Sequence, residues 1–318
     1  MLIQRGYGAT MRQPRLWPCL LALLLAAAQT GNADAAGAVA QPSTRVVMLG
    51  SGTPQAETTR SGPAVAVVVG DRPYLVDFGP GVVRQASKAW AQGIAALAPP
   101  RLSTVFATHL HSDHTTGLAD LALAPWVLGR DAPLALYGPP GVAEMAAHIT
   151  SAYAQDINMR VNPPSFRPRA GAQIEAHEVR PGIVLETPDV RVEAFPVEHG
   201  RWKHAYGYRF QTAERSIVIS GDTRPSKALI EKARGCDVLV HEAYLKSGYD
   251  ELGKEQQAYH GMSHTSGIEL GRLAATVQPG LLVVYHTLLF GGSQADLMRE
   301  IKSGFDGDVV IADDLDVF

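Results

Sequence analysis

Six consecutive positions of the chain carry four side chains of the kinds that bind divalent metal ions. The run His-Leu-His-Ser-Asp-His supplies His109, His111, Asp113 and His114, and it contains three of the chain's 11 histidines. Zinc and similar metals bind imidazole nitrogen and carboxylate oxygen, and a catalytic site keeps one position open for water. Directly after a strand, His109 and His111 can point the same way because side chains alternate in direction. Asp113 and His114 on the following turn can face a neighbouring point, so the run predicts ligands for two metal ions.

Three further candidates each follow an apolar stretch farther along the chain. They are His199 in Pro-Val-Glu-His-Gly, Asp222 in Ser-Gly-Asp-Thr and His286 in Val-Val-Tyr-His-Thr. Taken singly, His286 fits a core histidine and Asp222 fits the N-cap of a helix over 224–232. An exposed polar turn is likewise an alternative for the run at 109–114. The joint occurrence of all these residues after strands favours a metal site.

The elements that must position these residues follow a repeated pattern. Apolar runs bounded by Gly, Pro and Asp predict strands at 45–49, 64–69, 74–78, 104–107 and 134–137, with helices at 80–92, 115–123 and 141–153 and a surface loop at 158–169. A second meander is predicted at 173–179, 183–186, 190–197, 206–211 and 216–220, followed by strands at 238–241, 281–285 and 309–312 and helices at 265–276 and 294–303. The pattern predicts one domain over 45–318, with two facing sheets and helices outside.

The first 35 residues have the features of an export signal. The 318-residue chain is 46% apolar and 19% charged, as expected of a globular protein. Arginines at 12 and 15 precede a nine-residue apolar run at 20–28 and an Ala-Asp-Ala cleavage signature at 33–35. A membrane span would need about 20 apolar residues. We therefore predict a signal peptide at 1–35, starting at Met1 or Met11, then a linker at 36–44, and a periplasmic or secreted bacterial protein without a membrane span.

Removal of this segment makes the chain more acidic. It leaves 25 basic and 30 acidic residues, a net charge of −5 in place of −3. That balance disfavours a nucleic-acid partner, since such binding depends on neutralising phosphates. A small anionic molecule is the expected substrate, and a homodimer is allowed. Cys236 alone remains, so the mature chain cannot form an intramolecular disulfide.

The stretch at 108–114 resembles the signature His-x-His-x-Asp-His of the metallo-β-lactamase superfamily, and Val-Asp-Phe-Gly-Pro-Gly at 76–81 is similar to its first motif. The resemblance spans 45–312 and implies an α/β fold, the αββα four-layer sandwich of two mixed sheets with outer helices. It assigns one metal to His109, His111 and His199, the other to Asp113, His114 and His286, and a bridging role to Asp222. Asp77 is expected to accept a hydrogen bond from a ligand histidine.

These assignments imply a cofactor and a nucleophile. Two divalent cations are expected, with Zn²⁺ favoured and Mn²⁺ or Fe permitted by the set richer in carboxylate. Cations about 3.5–4 Å apart can share a carboxylate and lower the pKa of a bound water toward about 7. The resemblance thus implies attack by metal-bound hydroxide, with Asp113 a catalytic residue as well as a ligand. Lactamases of this fold commonly have Cys where Asp222 lies, and the oxygen ligand favours ester hydrolysis.

Other stretches narrow the resemblance to one branch. Val-Val-Met-Leu-Gly-Ser-Gly-Thr-Pro at 46–54, His241-Glu-Ala243 and His264-Thr-Ser266 are similar to motifs of ribonuclease Z-like proteins, which include sulfatase-like and phosphodiesterase-like relatives. In such a site His264 would donate a proton to the leaving oxygen or stabilise charge on a phosphoryl or sulfuryl oxygen, with Glu242 orienting it through a hydrogen bond. Capping of the helix at 265–276 is the alternative role for His264.

Several features argue against processing of tRNA. They are the export signal, the acidic charge, the absence of a long Gly- and Lys-rich arm and of a Pro-x-Lys-x-Arg-Asn stretch. The stretches 123–130 and 136–141 resemble exported arylsulfatase-like proteins instead. Candidates for an aromatic rim around the substrate are Trp126, Trp202, Tyr153 and Phe166, and Arg201 and Lys203 are candidates for attracting an anion; core packing and solvated surface are the respective alternatives.

The sequence therefore predicts an exported dinuclear metal-dependent hydrolase of a small sulfate or phosphate ester. The alternatives are a ribonuclease Z-like phosphodiesterase or endonuclease, and a lactone or β-lactam hydrolase. A metal-stabilised binding protein is the alternative that is not an enzyme. The absence of one of the expected metal-binding residues would favour this last alternative, and all of them are present.

Overall fold

The computed structural model describes residues 43–318, so the predicted signal peptide and nearly all of the predicted linker lie outside the described residues. Thirteen strands in this part of the chain form two sheets. The first sheet has six strands in chain order: β1 Thr44–Gly50, β2 Ala64–Val69, β3 Arg72–Val76, β4 Thr104–Phe106, β5 Leu134–Gly138 and β6 Ile174–Glu178. The second has seven: β7 Gly182–Glu186, β8 Arg191–Pro196, β9 Tyr206–Gln211, β10 Ser216–Ile219, β11 Val238–Tyr244, β12 Leu281–Leu288 and β13 Val309–Ile311.

Both sheets combine an antiparallel meander with parallel strands. The pairs β1–β2 and β2–β3 are antiparallel, and β3 to β6 run parallel. In the second sheet β7 to β10 are antiparallel and β10 to β13 parallel. The predicted alternation of meander and β–α segments is confirmed. One assignment was wrong, because β6 pairs with β5 in the first sheet instead of opening the second meander.

Ten α-helices occur within residues 43–318. They are α1 Val82–Ala91, α2 Ser112–Thr115, α3 Leu118–Val127, α4 Val142–Ala152, α5 Ala154–Val161, α6 Lys227–Ala233, α7 Lys246–Asp250, α8 Lys254–Ser263, α9 Gly267–Val277 and α10 Gln294–Lys302. The helix predicted at 115–123 is divided at Gly117, and the predicted loop at 158–169 begins inside α5. None of these helices is long and apolar enough to cross a bilayer.

The core has three layers, which give the predicted four-layer sandwich. Val47 and Leu49 of β1 pack among residues of α1, α3 and α4 on the outer face of the first sheet. The alternate residues Val46 and Met48 point inward, because successive side chains of a strand face opposite sides, and pack against the second sheet. A third cluster joins the outer face of the second sheet to α6, α9 and α10, and includes the buried free Cys236.

A buried arginine ties the helical layer to the loops around the first sheet. Arg130 lies just after α3 and is 2% exposed. Its guanidinium donates hydrogen bonds to the backbone oxygens of Leu102, Leu121, Ala122 and Gly171. Burial lowers the pKa of Arg130 to about 10, so the group stays charged at neutral pH. This one side chain therefore satisfies carbonyl groups from three separate segments.

Replacing Arg130 by alanine is expected to lower the free energy of unfolding by about 3 kcal/mol or more, because several buried carbonyl oxygens lose their donor. Chemical denaturation of wild type and variant measures the difference. Arg101→Ala is the matched control, since the exposed pair of Arg101 and Asp71 has side chains 49% and 78% accessible. Such a pair contributes about 0–1 kcal/mol. Equal stability of the two variants would contradict the proposed role of Arg130.

Candidate metal centre

The candidate ligands lie where strands of the two sheets end on the same side of the molecule. The run that begins at His109 follows β4 and enters α2, which contains Asp113 and His114. His199 follows β8 and Asp222 follows β10. Polar side chains at these positions meet because the two sheets face each other through a shared core. The structure thus brings together residues separated by more than a hundred positions in the chain.

His286 differs, because it lies inside β12 and not at its end. In the pairing of β11 with β12, Glu242 is opposite Tyr285 and Ala243 is opposite Thr287, which leaves His286 as the extra residue of a bulge. Its φ is 45°, a left-handed value that is uncommon for residues other than glycine. A bulge re-aims a side chain, and strained backbone of this kind clusters at functional sites. Here it turns the imidazole toward the other ligands.

Three imidazoles converge to form one half of the cluster. His109 Nε2 lies 2.9 Å from His111 Nδ1, and the same Nδ1 lies 3.0 Å from His199 Nε2. The carboxylate that approaches this half is that of Asp222, whose Oδ2 is 3.9 Å from His199 Nε2. One ligand atom from each of these four residues lies within 4.8 Å of the others. The arrangement matches the first metal position implied by the resemblance.

The other half contains Asp113, His114 and His286. His286 Nε2 lies 3.3 Å from Asp113 Oδ2, and His114 Nε2 lies 3.4 Å from the same oxygen. Asp222 reaches this half too, with its Oδ1 3.4 Å from His114 Nε2 and its Oδ2 3.7 Å from His286 Nε2. Asp222 therefore stands between the two sets, as a bridging ligand must.

Hydrogen bonds to neighbouring groups orient several of the histidines. His114 Nδ1 donates to Asp77 Oδ2 at 2.7 Å, which leaves Nε2 facing the cluster. Thr108 Oγ1 donates to the same carboxylate and lies 3.0 Å from His109 Nδ1. His199 Nδ1 donates to the backbone oxygen of Ser263 at 2.8 Å. Such partners fix which ring nitrogen is free to bind a metal.

The surroundings keep the first three histidines neutral. Burial lowers the pKa of His109 well below its ordinary value, lowers that of His111 to about 4, and also lowers that of His199. The charges of neighbouring imidazoles add to this effect. A neutral imidazole has a free lone pair, which metal coordination requires.

Asp222 dominates the electrostatics of the second half. Burial disfavours charge on His114 and His286, but the negative charge of Asp222, together with Asp77 at His114 and Asp113 at His286, outweighs burial and raises the pKa of both. Burial likewise disfavours the carboxylate of Asp222, but the charges of His286 and His114 lower its pKa well below its usual range. Positive charge on His114 and His286 and negative charge on Asp222 therefore stabilise each other.

Buried atoms without hydrogen-bond partners show that these residues fit metal ions. His114 Nε2 and Asp222 Oδ1 are both buried and make no hydrogen bond within the described part of the chain. Unpaired buried polar atoms are costly, and a cation between them removes that cost. Imidazole nitrogens with carboxylate oxygens suit Zn²⁺, and Mn²⁺ or Fe is compatible with the same donors. The cluster thus fits two divalent cations.

His264 and Glu242 lie at the edge of the cluster. His264 Nδ1 is 3.3 Å from Glu242 Oε1 and 3.9 Å from Asp222 Oδ2. Glu242 Oε1 also accepts hydrogen bonds from the backbone N–H groups of Thr223 and Thr265. Burial lowers the pKa of His264 to about 4, whereas burial and the charge of Asp222 raise the pKa of Glu242 well above its usual range.

The alternative capping roles of two candidates are wrong. Ser266 caps α9 through a capping box with Glu269, so His264 does not cap that helix. Helix α6 begins after Ser226, which places Asp222 outside its N-cap position. Neither side chain caps the helix that the sequence suggested for it, and both side chains face the cluster.

The predicted aromatic rim is largely wrong. Trp126 is fully buried and donates its indole N–H to the backbone oxygen of Pro168, so it belongs to the core. Tyr153 lies at the junction of α4 and α5 and Phe166 in the loop after α5; both are exposed, and neither lines the cavity beside the cluster. Only Trp202 is at the site, with its indole ring 5.0 Å from that of His111.

Sequence reasoning missed three residues near the cluster. Tyr259 and Met262 of α8 line a cavity beside His111, and Ser263 orients His199 through its backbone. Helix α8 has Ser263 as its one buried residue, so it lacks the apolar spacing that reveals a helix. A backbone carbonyl leaves no side-chain signal. Of the two predicted cations on the loop, Arg201 lines this cavity and Lys203 is exposed.

The geometry agrees with comparisons to known proteins. Residues 72–287 match the family model described as the beta-lactamase superfamily domain. The chain belongs to the metallo-β-lactamase superfamily. A ribonuclease Z of Mycobacterium sp. (strain KMS) is 33% identical over 276 residues, which cover 85% of this chain and 94% of that protein. The relationship makes the protein a metal-dependent hydrolase of this superfamily, homologous to ribonuclease Z.

Solved structures show the same fold. A metallo-beta-lactamase fold protein of Bacillus subtilis, YhfI, has a TM-score of 0.66 at 20% identity and covers 86% of this chain and 99% of its own. The short form of human tRNase Z has a TM-score of 0.64 at 22% identity, with 86% and 98% covered. The predicted superfamily and its α/β sandwich are therefore confirmed.

We expect wild-type protein to bind two equivalents of Zn²⁺. His109→Ala should bind about one, because the metal ion of that half needs all three imidazole nitrogens. Asp222→Ala should lose affinity at both positions, since this carboxylate contacts both halves. Elemental analysis after dialysis against a metal buffer gives these numbers. His148→Ala, an exposed residue of α4, is the control and should keep two equivalents. Unchanged metal content in both cluster variants would overturn the assignment.

Proposed function

We propose that the protein hydrolyses small anionic esters, of sulfate or phosphate, with two divalent metal ions, Zn²⁺ in the simplest case. The observation that carries the proposal is the position of His264 and Glu242 against Asp222, at the edge of the metal cluster. The bound ions would activate water for attack on the ester. His264 and Glu242 would assist the second part of the reaction, the departure of the alcohol.

An alcohol leaves such an ester as an anion that needs a proton. His264 Nδ1 lies 3.3 Å from Glu242 Oε1, so the carboxyl group can orient the imidazole that would give its proton to the leaving oxygen. The backbone N–H groups of Thr223 and Thr265 donate to Glu242 Oε1 and hold it in place. The pair is therefore built to deliver a proton beside the metal ligands, which is the role of a general acid.

Charge supports a small substrate. The cavity beside the cluster has one basic residue, Arg201, and one acidic residue, Glu255, so its lining carries no net positive charge. The whole chain has a net charge of −3. Nucleic acids bind proteins largely through neutralised phosphates, and neither feature favours that. The proposal retains an exported location, which rests on the pattern of residues 1–35 alone.

A ribonuclease Z-like endonuclease is the second candidate. Its support is the 33% identity to a mycobacterial ribonuclease Z across 85% of this chain. The same residues would serve both reactions, because a phosphodiester of RNA and a small phosphate ester need the same activated water and proton donor. The two candidates therefore differ in what the surface around the cluster accepts.

A substrate panel under one metal loading separates these candidates. We expect turnover of 4-nitrophenyl sulfate or bis(4-nitrophenyl) phosphate, and at least tenfold lower kcat/KM for a lactone and for nitrocefin. A precursor tRNA with a 3′ extension should be cleaved poorly or not at all. Inactivity on both nitrophenyl esters together with efficient cleavage of the precursor would transfer the assignment to the endonuclease.

His264→Ala should lower kcat by about 10²–10⁴-fold for a poor leaving group, as loss of a general acid does. The loss should be smaller for a 4-nitrophenyl ester than for the phenyl ester of the same acid, because nitrophenolate departs more readily without a proton. A purely structural role would lower both rates equally. His148→Ala is the control, and metal content is measured for every variant. Full kcat in metal-loaded His264→Ala would exclude the role.

A further inference from the structure

A cavity of about 720 Å³ adjoins the metal cluster on the side of His111 and His199. Its walls are the loop at 199–202 and helix α8. The loop contributes the side chains of Trp202 and Arg201, and the helix contributes those of Glu255, Tyr259 and Met262. A ligand pocket of several hundred Å³ next to reactive groups is the usual place for the part of a substrate that does not react.

The two walls are held together by backbone contacts. The N–H of Gly200 donates to the backbone oxygen of Met262 at 3.1 Å, next to the contact between His199 and Ser263. Gly200 has a φ of 55°, and a Cβ there would lie 2.6 Å from Ser263 Oγ. This close approach requires glycine. The cavity is consequently preformed and tied to the backbone that orients a metal ligand.

The lining is aromatic and apolar. Trp202, Tyr259 and Met262 are 36%, 48% and 39% exposed, and all three face this one cavity. Large apolar side chains gathered around one opening mark a binding site for an apolar group. Tyr259 lines the same cavity as the ligands His111 and His199. The single charges of Arg201 and Glu255 offset each other.

The cavity lies on the side of the proton donor. Ser263 lines it, and His264 follows directly, with its ring 5.1 Å from that of His199. In hydrolysis, the bond between the acid's central atom and the alcohol oxygen breaks, water supplies the new oxygen, and the departing oxygen takes a proton from this side. A group attached to that oxygen would therefore leave next to the cavity.

Trp202 has an additional role in this geometry. Its Nε1–H donates to His111 Nε2 at 2.7 Å. A neutral imidazole that gives Nδ1 to a metal carries its proton on Nε2. With a metal ion on Nδ1, both His111 Nε2 and Trp202 Nε1 would carry hydrogens, and the indole N–H would be free to donate to an acceptor inside the cavity.

We propose that Trp202, Tyr259 and Met262 form a subsite for a planar aromatic leaving group. The inference rests on the proposed ester hydrolysis and narrows it to aryl esters. An aryl ring stacks on the indole and contacts the thioether and phenol, which are the interactions that aromatic and sulfur-containing side chains make with rings. An alkyl group of one carbon is too short to reach these side chains.

Kinetics on matched esters tests the subsite. For Trp202→Ala we expect KM for the phenyl ester to rise about tenfold, with kcat changed less than threefold, whereas KM for the methyl ester of the same acid stays constant; stacking interactions are worth a factor of about 5–100. Tyr259→Ala leaves the metal ligands unchanged and should also raise KM for the phenyl ester. Trp202→Phe should keep most of the affinity. Trp90→Ala, 51% exposed on α1, is the control and should change neither ester.

Binding of the aromatic product separates this inference from the proposed function. We expect metal-loaded wild type to bind 4-nitrophenol by calorimetry and Trp202→Ala to bind it at least fivefold more weakly, at equal metal content. If wild type hydrolyses neither ester but binding shows this loss, the proposed function fails and the subsite stands. If Trp202→Ala leaves phenyl-ester KM and nitrophenol binding unchanged, or raises KM equally for both esters, the subsite is overturned.

Discussion

The buried carboxylate of Asp222 is the interaction on which the rest of the site depends. It is 2% exposed, and imidazole nitrogens of His114, His199, His264 and His286 lie 3.4, 3.9, 3.9 and 3.7 Å from its oxygens. A buried carboxylate is costly unless positive charge compensates it. Protons on His114 and His286 can provide that charge, and divalent cations can provide it instead. Metal binding and histidine protonation are therefore linked through one carboxylate.

The packing between the sheets decides whether Asp222 meets its partners. The ligands from His109 to His114, and Asp77 that orients His114, come from the first half of the chain. The ligands His199, Asp222 and His286 come from the second half. Between the halves, Phe106 of β4 packs against Tyr208 of β9 with ring centroids 5.2 Å apart. The cluster can form only when this core closes. Metal binding should then stabilise the contact between the sheets, since a ligand that requires the folded state favours it.

Much of this architecture was predictable because strands buried on both faces appear in the sequence as continuous apolar runs. The two meanders, the parallel segments and the ligands at 109–114, 199, 222 and 286 all follow from apolar runs that end in polar residues. The sheet to which β6 belongs was not predictable, because periodicity identifies a strand without naming its neighbour. The bulge at His286 was also hidden, since an extra residue in a buried strand leaves its composition unchanged.

The features that select a substrate are harder to predict than those that perform the chemistry. Metal ligands are restricted to a few residue types, so their spacing is visible. The cavity instead depends on α8, whose side chains are mostly exposed, and on backbone contacts at Gly200 and Ser263. The same backbone oxygen of Ser263 that orients His199 also sets the distance between the cavity walls. Changes in α8 can therefore alter the substrate while the ligands stay the same, which is how one hydrolytic centre can serve different esters.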